Sequence, residues 1–115
     1  MNICGMYFSA TNTTETVVTT ITNELSNYLG CHKEYYSFTL PKDRENIKEF
    51  SPEDIVVFGT PVIAGRVPNV LLKYIRSLRG NGAKAIPVVL YGNRSYDDAL
   101  IELRNLLEED GFHTV

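Results

Sequence analysis

Ile55-Val56-Val57-Phe58 and the run from Ala85 to Tyr91 read as apolar throughout, with no polar residue alternating along either of them. A strand with one face in water would alternate, so these strands must be covered on both sides. A third apolar run, Ile3 to Phe8, opens the chain. Between such runs apolar residues recur at helical spacing: Val17, Val18, Ile21, Leu25 and Leu29 before Gly30, then Leu71, Tyr74, Ile75 and Leu78. Leu100, Leu103, Leu106 and Leu107 form a third stripe that closes at Gly111. Proline favours a first helical position, so Pro68 is expected to start the second of these helices. A weaker strand is expected around Glu34 to Thr39, a short helix within the polar segment Pro41 to Phe50, and the start of a fifth strand at Phe112 to Val115. Strands alternating with amphipathic helices predict an α/β fold: a parallel sheet between two helical layers, built as a single domain spanning residues 1–115.

Composition narrows the function. The formal net charge is −3 and no basic cluster is present, which argues against a nucleic-acid partner. No apolar stretch reaches the roughly 20 residues that a membrane span needs. The N-terminus lacks the charged and apolar regions of a secretion signal, so a cytoplasmic location is expected. Cys4 and Cys31 fit no metal-binding spacing, and only His32 and His113 could assist them. No metal is expected.

In a doubly wound sheet, ligands sit beyond the C-terminal ends of the strands, where strand order reverses. The loops after the first, third and fourth strands are the places to look. The first, Ser9-Ala10-Thr11-Asn12-Thr13-Thr14, combines hydroxyls and an amide with a helix N-terminus. Free N–H groups and the helix dipole there suit a phosphate. No Lys or Arg sits in the loop, and no Gly-Lys-Ser/Thr ending exists, so a terminal phosphomonoester fits better than a magnesium triphosphate. The same hydroxyls would also serve as ordinary helix caps.

All three loops carry a resemblance. Ser9 to Thr14 resembles the phosphate loop of flavodoxins. Gly59-Thr60-Pro61-Val62-Ile63-Ala64-Gly65 is similar to their second flavin loop, and Val67-Pro68 continues it. Tyr91-Gly92-Asn93-Arg94-Ser95-Tyr96 with Asp97-Asp98-Ala99-Leu100 resembles the third. Nearest in pattern is the flavodoxin-like domain of bacterial iron–sulfur flavoproteins, often joined to a ferredoxin-like domain. The resemblance implies a flavodoxin-like three-layer α/β/α fold with strand order 2-1-3-4-5. It also implies FMN as cofactor, electron transfer as function and a ferredoxin-like redox partner.

On that resemblance, Ser9, Ala10, Thr11, Asn12, Thr13 and Thr14 surround the FMN phosphate. Thr60, Pro61, Val62, Ile63, Ala64 and Gly65 line one side of the isoalloxazine, and Tyr91, Gly92, Asn93, Arg94 and Tyr96 the other. Tyr96 would stack on the ring, or pack under a helix start. Arg94 would stabilise the charge on reduced flavin and raise its potential, or lie solvated at the surface. No protein acid or base is required.

Two departures carry expectations. Where the family has Gly then Asn, this chain has Asn12 then Thr13; asparagine is the least costly replacement if position 12 needs a positive φ. Flavodoxins also continue past the fifth strand into a further helix, whereas this sequence ends at Val115, in or just after that strand. Apolar surface on the third and fourth strands would then face water, so either the sequence is the front part of a longer protein or a second subunit covers the patch; self-association is expected. The alternatives are an FMN-dependent quinone or NAD(P)H oxidoreductase, and a flavodoxin-fold module with a degenerate, empty site. Receiver domains share the architecture, but Ser9-Ala10 and Gly59-Thr60 stand where their acidic residues are needed.

Overall fold

The computed structural model describes residues 1–9, 12–45, 48–62, 67–90 and 96–115, with the side chains of residues 96–98 excepted. The strands are β1 (Asn2–Tyr7), β2 (His32–Ser37), β3 (Ile55–Pro61), β4 (Lys84–Leu90) and β5 (His113–Thr114). The helices are α1 (Thr13–Leu29), α2 (Asn69–Ser77) and α3 (Tyr96–Glu109), with a 3-10 turn at Pro41–Arg44. The strands form one sheet in the order β2-β1-β3-β4-β5, and every pairing is parallel. This is the flavodoxin-like order expected from the sequence.

Side chains on the two faces of the sheet enter separate cores. Cys4, Met6, Val56, Phe58 and Ala85 meet α2 and α3 through Leu71, Tyr74, Ile75, Leu103 and Leu107. Phe38 stacks on Phe58 in this core, with ring centroids 4.9 Å apart. On the opposite face Ile3 and Val57 pack under Val18 of α1. Ile55, Ile86 and Val88 border that second core and stay partly exposed. Val115, beside them at the chain end, is 73% exposed.

The face that α1 buries is shifted from the one its large apolar residues mark, with Val18 common to both. Its buried residues are Thr14, Val18, Thr22 and Ser26, four apart along the helix. Val17, Ile21 and Leu25 lie half-buried beside this stripe, and Leu29 is 43% exposed. Glycines beneath the helix explain the choice. A Cβ on Gly5 would fall 2.4 Å from Thr22 Oγ1, and one on Gly59 would fall 2.2 Å from Val18 Cγ2. The helix therefore lies close to β1 and β3, and only small or β-branched residues fit between.

Other expectations shift by a residue or two. β2 runs from His32 to Ser37 rather than Glu34 to Thr39, because its pairing starts at Asn2↔His32 and ends at Tyr7↔Ser37. Pro68 stands at the N-cap of α2, and Asn69 is the first helical residue. The short helix in the 41–50 segment is the 3-10 turn. Tyr96, read as a loop residue, opens α3. Leu100 is only half-buried; Ala99 is the fully buried residue of that turn.

Candidate functional site

Parallel pairing sets Tyr7 beside Gly59 and Pro61 beside Leu90, so β1, β3 and β4 end at one edge of the sheet. Strand order reverses between β1 and β3, with β2 on one side and β4 on the other. The segment after β1 therefore opens at the switch point where such sheets take ligands.

The β1–α1 turn is held from several directions. The Phe8 N–H donates to the Gly59 carbonyl at 3.1 Å, and the Ser9 N–H donates to Thr39 Oγ1 at 3.0 Å. The Glu15 N–H donates to Ser9 Oγ at 3.3 Å, so the serine hydroxyl reaches across to the first turn of α1. Asn12 stands at the N-cap with φ 66° and ψ −12°, the left-handed region, and its side chain makes no capping hydrogen bond. Its carbonyl accepts from the Thr16 N–H at 3.0 Å and from Thr16 Oγ1 at 2.9 Å. Asparagine at this position is explained by its backbone conformation rather than by side-chain capping.

Among the described residues, no acceptor faces the N–H groups of Thr13 and Thr14 at the helix start. A hollow of about 310 Å³ opens there, lined by Asn12, Thr13, Thr16 and Val17. Thr13 is exposed, while Thr14 is buried with its methyl against the Gly59 backbone. The residues expected to form a phosphate loop thus divide: Asn12 and Thr13 are exposed, Ser9 is half-buried, and the Thr14 side chain is enclosed. Ala10 and Thr11 lie outside the described residues.

At the end of β3, Thr60 is fully buried and its hydroxyl donates to the Pro61 carbonyl at 3.1 Å. The Val62 N–H donates to the Leu90 carbonyl at 2.8 Å, tying this loop to the end of β4. The Val67 N–H donates to Glu102 Oε1 at 3.0 Å, so α3 anchors the far end of the same loop. Pro61 and Val62 are half-buried at the sheet edge. Ile63, Ala64, Gly65, Tyr91, Gly92, Asn93 and Arg94 lie outside the described residues, as does the side chain of Tyr96.

Reading the sequence missed Thr39, Tyr7 and Glu102. Thr39 and Glu102 are each far in sequence from the atoms they hold, and no local pattern marks them. The pKa of Tyr7 is raised, by burial first and then by the Glu15 carboxylate to which the phenol is hydrogen-bonded. Glu15 thus places an acidic side chain in the first turn of α1, held against Tyr7. Cys4 is buried in the core, and burial together with Glu34 pushes its thiol up to about 12, which leaves it inert. Among the described residues no cluster of His, Cys, Asp or Glu is arranged to hold a metal ion, and no helix is long and apolar enough to cross a membrane.

Sheet order, switch point and helix start together define a flavodoxin-like protein fold. The chain is similar in structure to a crystal structure of a Bacteroides uniformis protein proposed to be a flavoprotein. The two superpose with a TM-score of 0.62 over 98% of this chain and 86% of that one, at 18% sequence identity. No protein-family model and no curated protein sequence matches the chain.

Proposed function

We propose that the chain binds FMN at the C-terminal edge of the sheet and works as an electron-transfer flavoprotein. The observation that carries this reading is Asn12 at φ 66° at the N-cap of α1, in the segment that follows β1 at the switch point. The N–H groups of Thr13 and Thr14, with the Ser9 hydroxyl, fit a phosphomonoester. Similarity in fold to a chain proposed to be a flavoprotein supports the same reading.

Ser9, Asn12 and Thr13 would hold the phosphate. Pro61 and Val62, with Ile63, Ala64 and Gly65, would line the flavin ring, and Tyr91 to Arg94 with Tyr96 would close its other side. FMN would supply the electron chemistry. The protein would position it, exclude water and set its potential, with Arg94 favouring the reduced, anionic form. A ferredoxin-like redox partner and pairing with a second copy of the chain belong to the same proposal. The half-buried Ile55, Ile86 and Val88 support the pairing.

A titration with FMN, followed by flavin fluorescence and visible absorbance, tests the reading. Near-stoichiometric quenching by the folded protein is expected. A folded protein that leaves FMN fluorescence unchanged at micromolar concentrations would overturn it.

A further inference from the structure

Charge is segregated along the chain in a way that the flavin reading does not use. From Ile55 to Tyr96 the charged residues are Arg66, Lys73, Arg76, Arg79, Lys84 and Arg94, and none is acidic. From Asp97 to Asp110 they are Asp97, Asp98, Glu102, Arg104, Glu108, Glu109 and Asp110. A chain with a net charge of −3 thus places a helix without a single carboxylate, α2, on the same face of the sheet as the acidic α3.

Beside α2 runs a groove of about 450 Å³, lined by Arg44, Glu45, Val70, Lys73, Tyr74 and Ser77. Val70, Lys73, Tyr74 and Ser77 are spaced as one stripe of the helix, and the turn at Pro41–Arg44 leads into the opposite wall. Val70 is 63% exposed, an apolar side chain on a helix surface otherwise free to be polar. The Tyr74 hydroxyl is buried, so it is not the part of that side chain that meets solvent. Arg44 is held in place: its guanidinium lies 5.8 Å from the centre of the Phe8 ring, and Nη1 donates to the Phe38 carbonyl at 3.4 Å. Among the described residues no carboxylate forms a salt bridge with Arg44 or Lys73. Arg79, further along, is paired with Glu49 at 3.5 Å. Glu45 is the one acid among the described lining residues.

We infer that this groove docks an acidic segment of a partner protein, with an apolar side chain on Val70 and carboxylates on Arg44 and Lys73. The position suits exchange with the candidate site. Phe8, under Arg44, directly precedes Ser9, and Val70 follows Val67-Pro68 at the end of the second loop. The inference rests on the flavin reading only for the electron that such a partner would exchange; docking itself needs no flavin.

The test is fluorescence anisotropy of a short fluorescein-labelled Glu/Leu peptide, run on protein without added FMN at low ionic strength. A Lys/Leu peptide of equal length is the control. Binding of the acidic peptide alone is expected, weakening as salt rises. Lys73→Glu should weaken it on the order of fivefold, the effect of about 1 kcal/mol at an exposed pair. Glu45→Gln should tighten it. Circular dichroism checks that both surface variants fold. No binding of the acidic peptide, equal binding of both peptides, or indifference to Lys73→Glu would overturn the inference. Displacement by inorganic phosphate at equal charge would also overturn it, by reducing the groove to a small-anion site. Because FMN is absent, failure here leaves the flavin titration to stand or fall separately.

Discussion

Gly59 lies so close beneath Val18 that a Cβ there would fall 2.2 Å from Val18 Cγ2. Both residues are fully enclosed, so neither can turn aside. Gly59→Ala should therefore destabilise the fold by about 1–3 kcal/mol, the usual range for overpacking. Shrinking the neighbour offers relief, so Gly59→Ala with Val18→Ala should lose clearly less than the two changes sum to separately. Urea denaturation of the three variants measures this. Strict additivity would show that the contact is not tight.

Asn12 tolerates the left-handed region better than most residues, and glycine tolerates it better still. Asn12→Gly should change stability by no more than a few tenths of a kcal/mol. Asn12→Ala should cost about 1 kcal/mol and weaken FMN binding as the helix start turns away. A thermal melt and a flavin titration on each variant decide it. An alanine variant identical to the parent in both would remove the backbone argument for this residue.

Glu15 serves two ends that oppose each other. Near the start of α1 its charge favours the helix, yet it would repel a bound phosphate. Glu15→Gln should lower the melting temperature slightly and tighten FMN binding on the order of threefold, as expected for an exposed like-charge pair. Weaker binding in this variant would mean that the carboxylate supports the site rather than opposing it.

How far these features were legible in the sequence depends on their range. Strands and helices followed from apolar runs and stripes, because periodicity is local, whereas the strand order came from the resemblance to flavodoxins. A left-handed backbone at Asn12 was suggested only by comparison with flavodoxins, which have glycine there. The seating of α1 was not legible. Of the expected stripe Val17, Val18, Ile21, Leu25 and Leu29, only Val18 is fully buried, because glycines on two different strands bring Thr14, Thr22 and Ser26 with it against the sheet. Thr39 and Glu102 were missed for the same reason, since each holds an atom distant in the chain.

Asp110 predicts the pH dependence of stability. Burial first, and then Glu109, lift its carboxyl from 3.8 to about 7, with Arg76 of α2 opposing them. Between these two values the folded chain keeps a proton that the unfolded chain releases. Its contribution is thus complete below about pH 4 and is lost as the pH rises through about 7. Asp110→Asn should flatten that fall in denaturation curves taken across the window. A variant with an unchanged pH profile would show that Asp110 does not govern it.

Pairing through the partly exposed side of β3 and β4 predicts a mass above that of one chain in sedimentation at micromolar concentration. Changing Ile86 and Val88 to threonine should restore the single chain. A monomer at every concentration would count against pairing.

The close seating of α1 also bears on how such a chain could be altered. Helix α1 is fixed to the sheet by Gly5, Gly59 and its own small residues, all of which lie outside the exposed tip of the turn. The height of the helix above the sheet is thereby set apart from Asn12, whose left-handed backbone governs how the helix starts. Thr13, exposed and outside that packing, is free to be exchanged for a residue that prefers a different anion, while the mount beneath it stays unchanged.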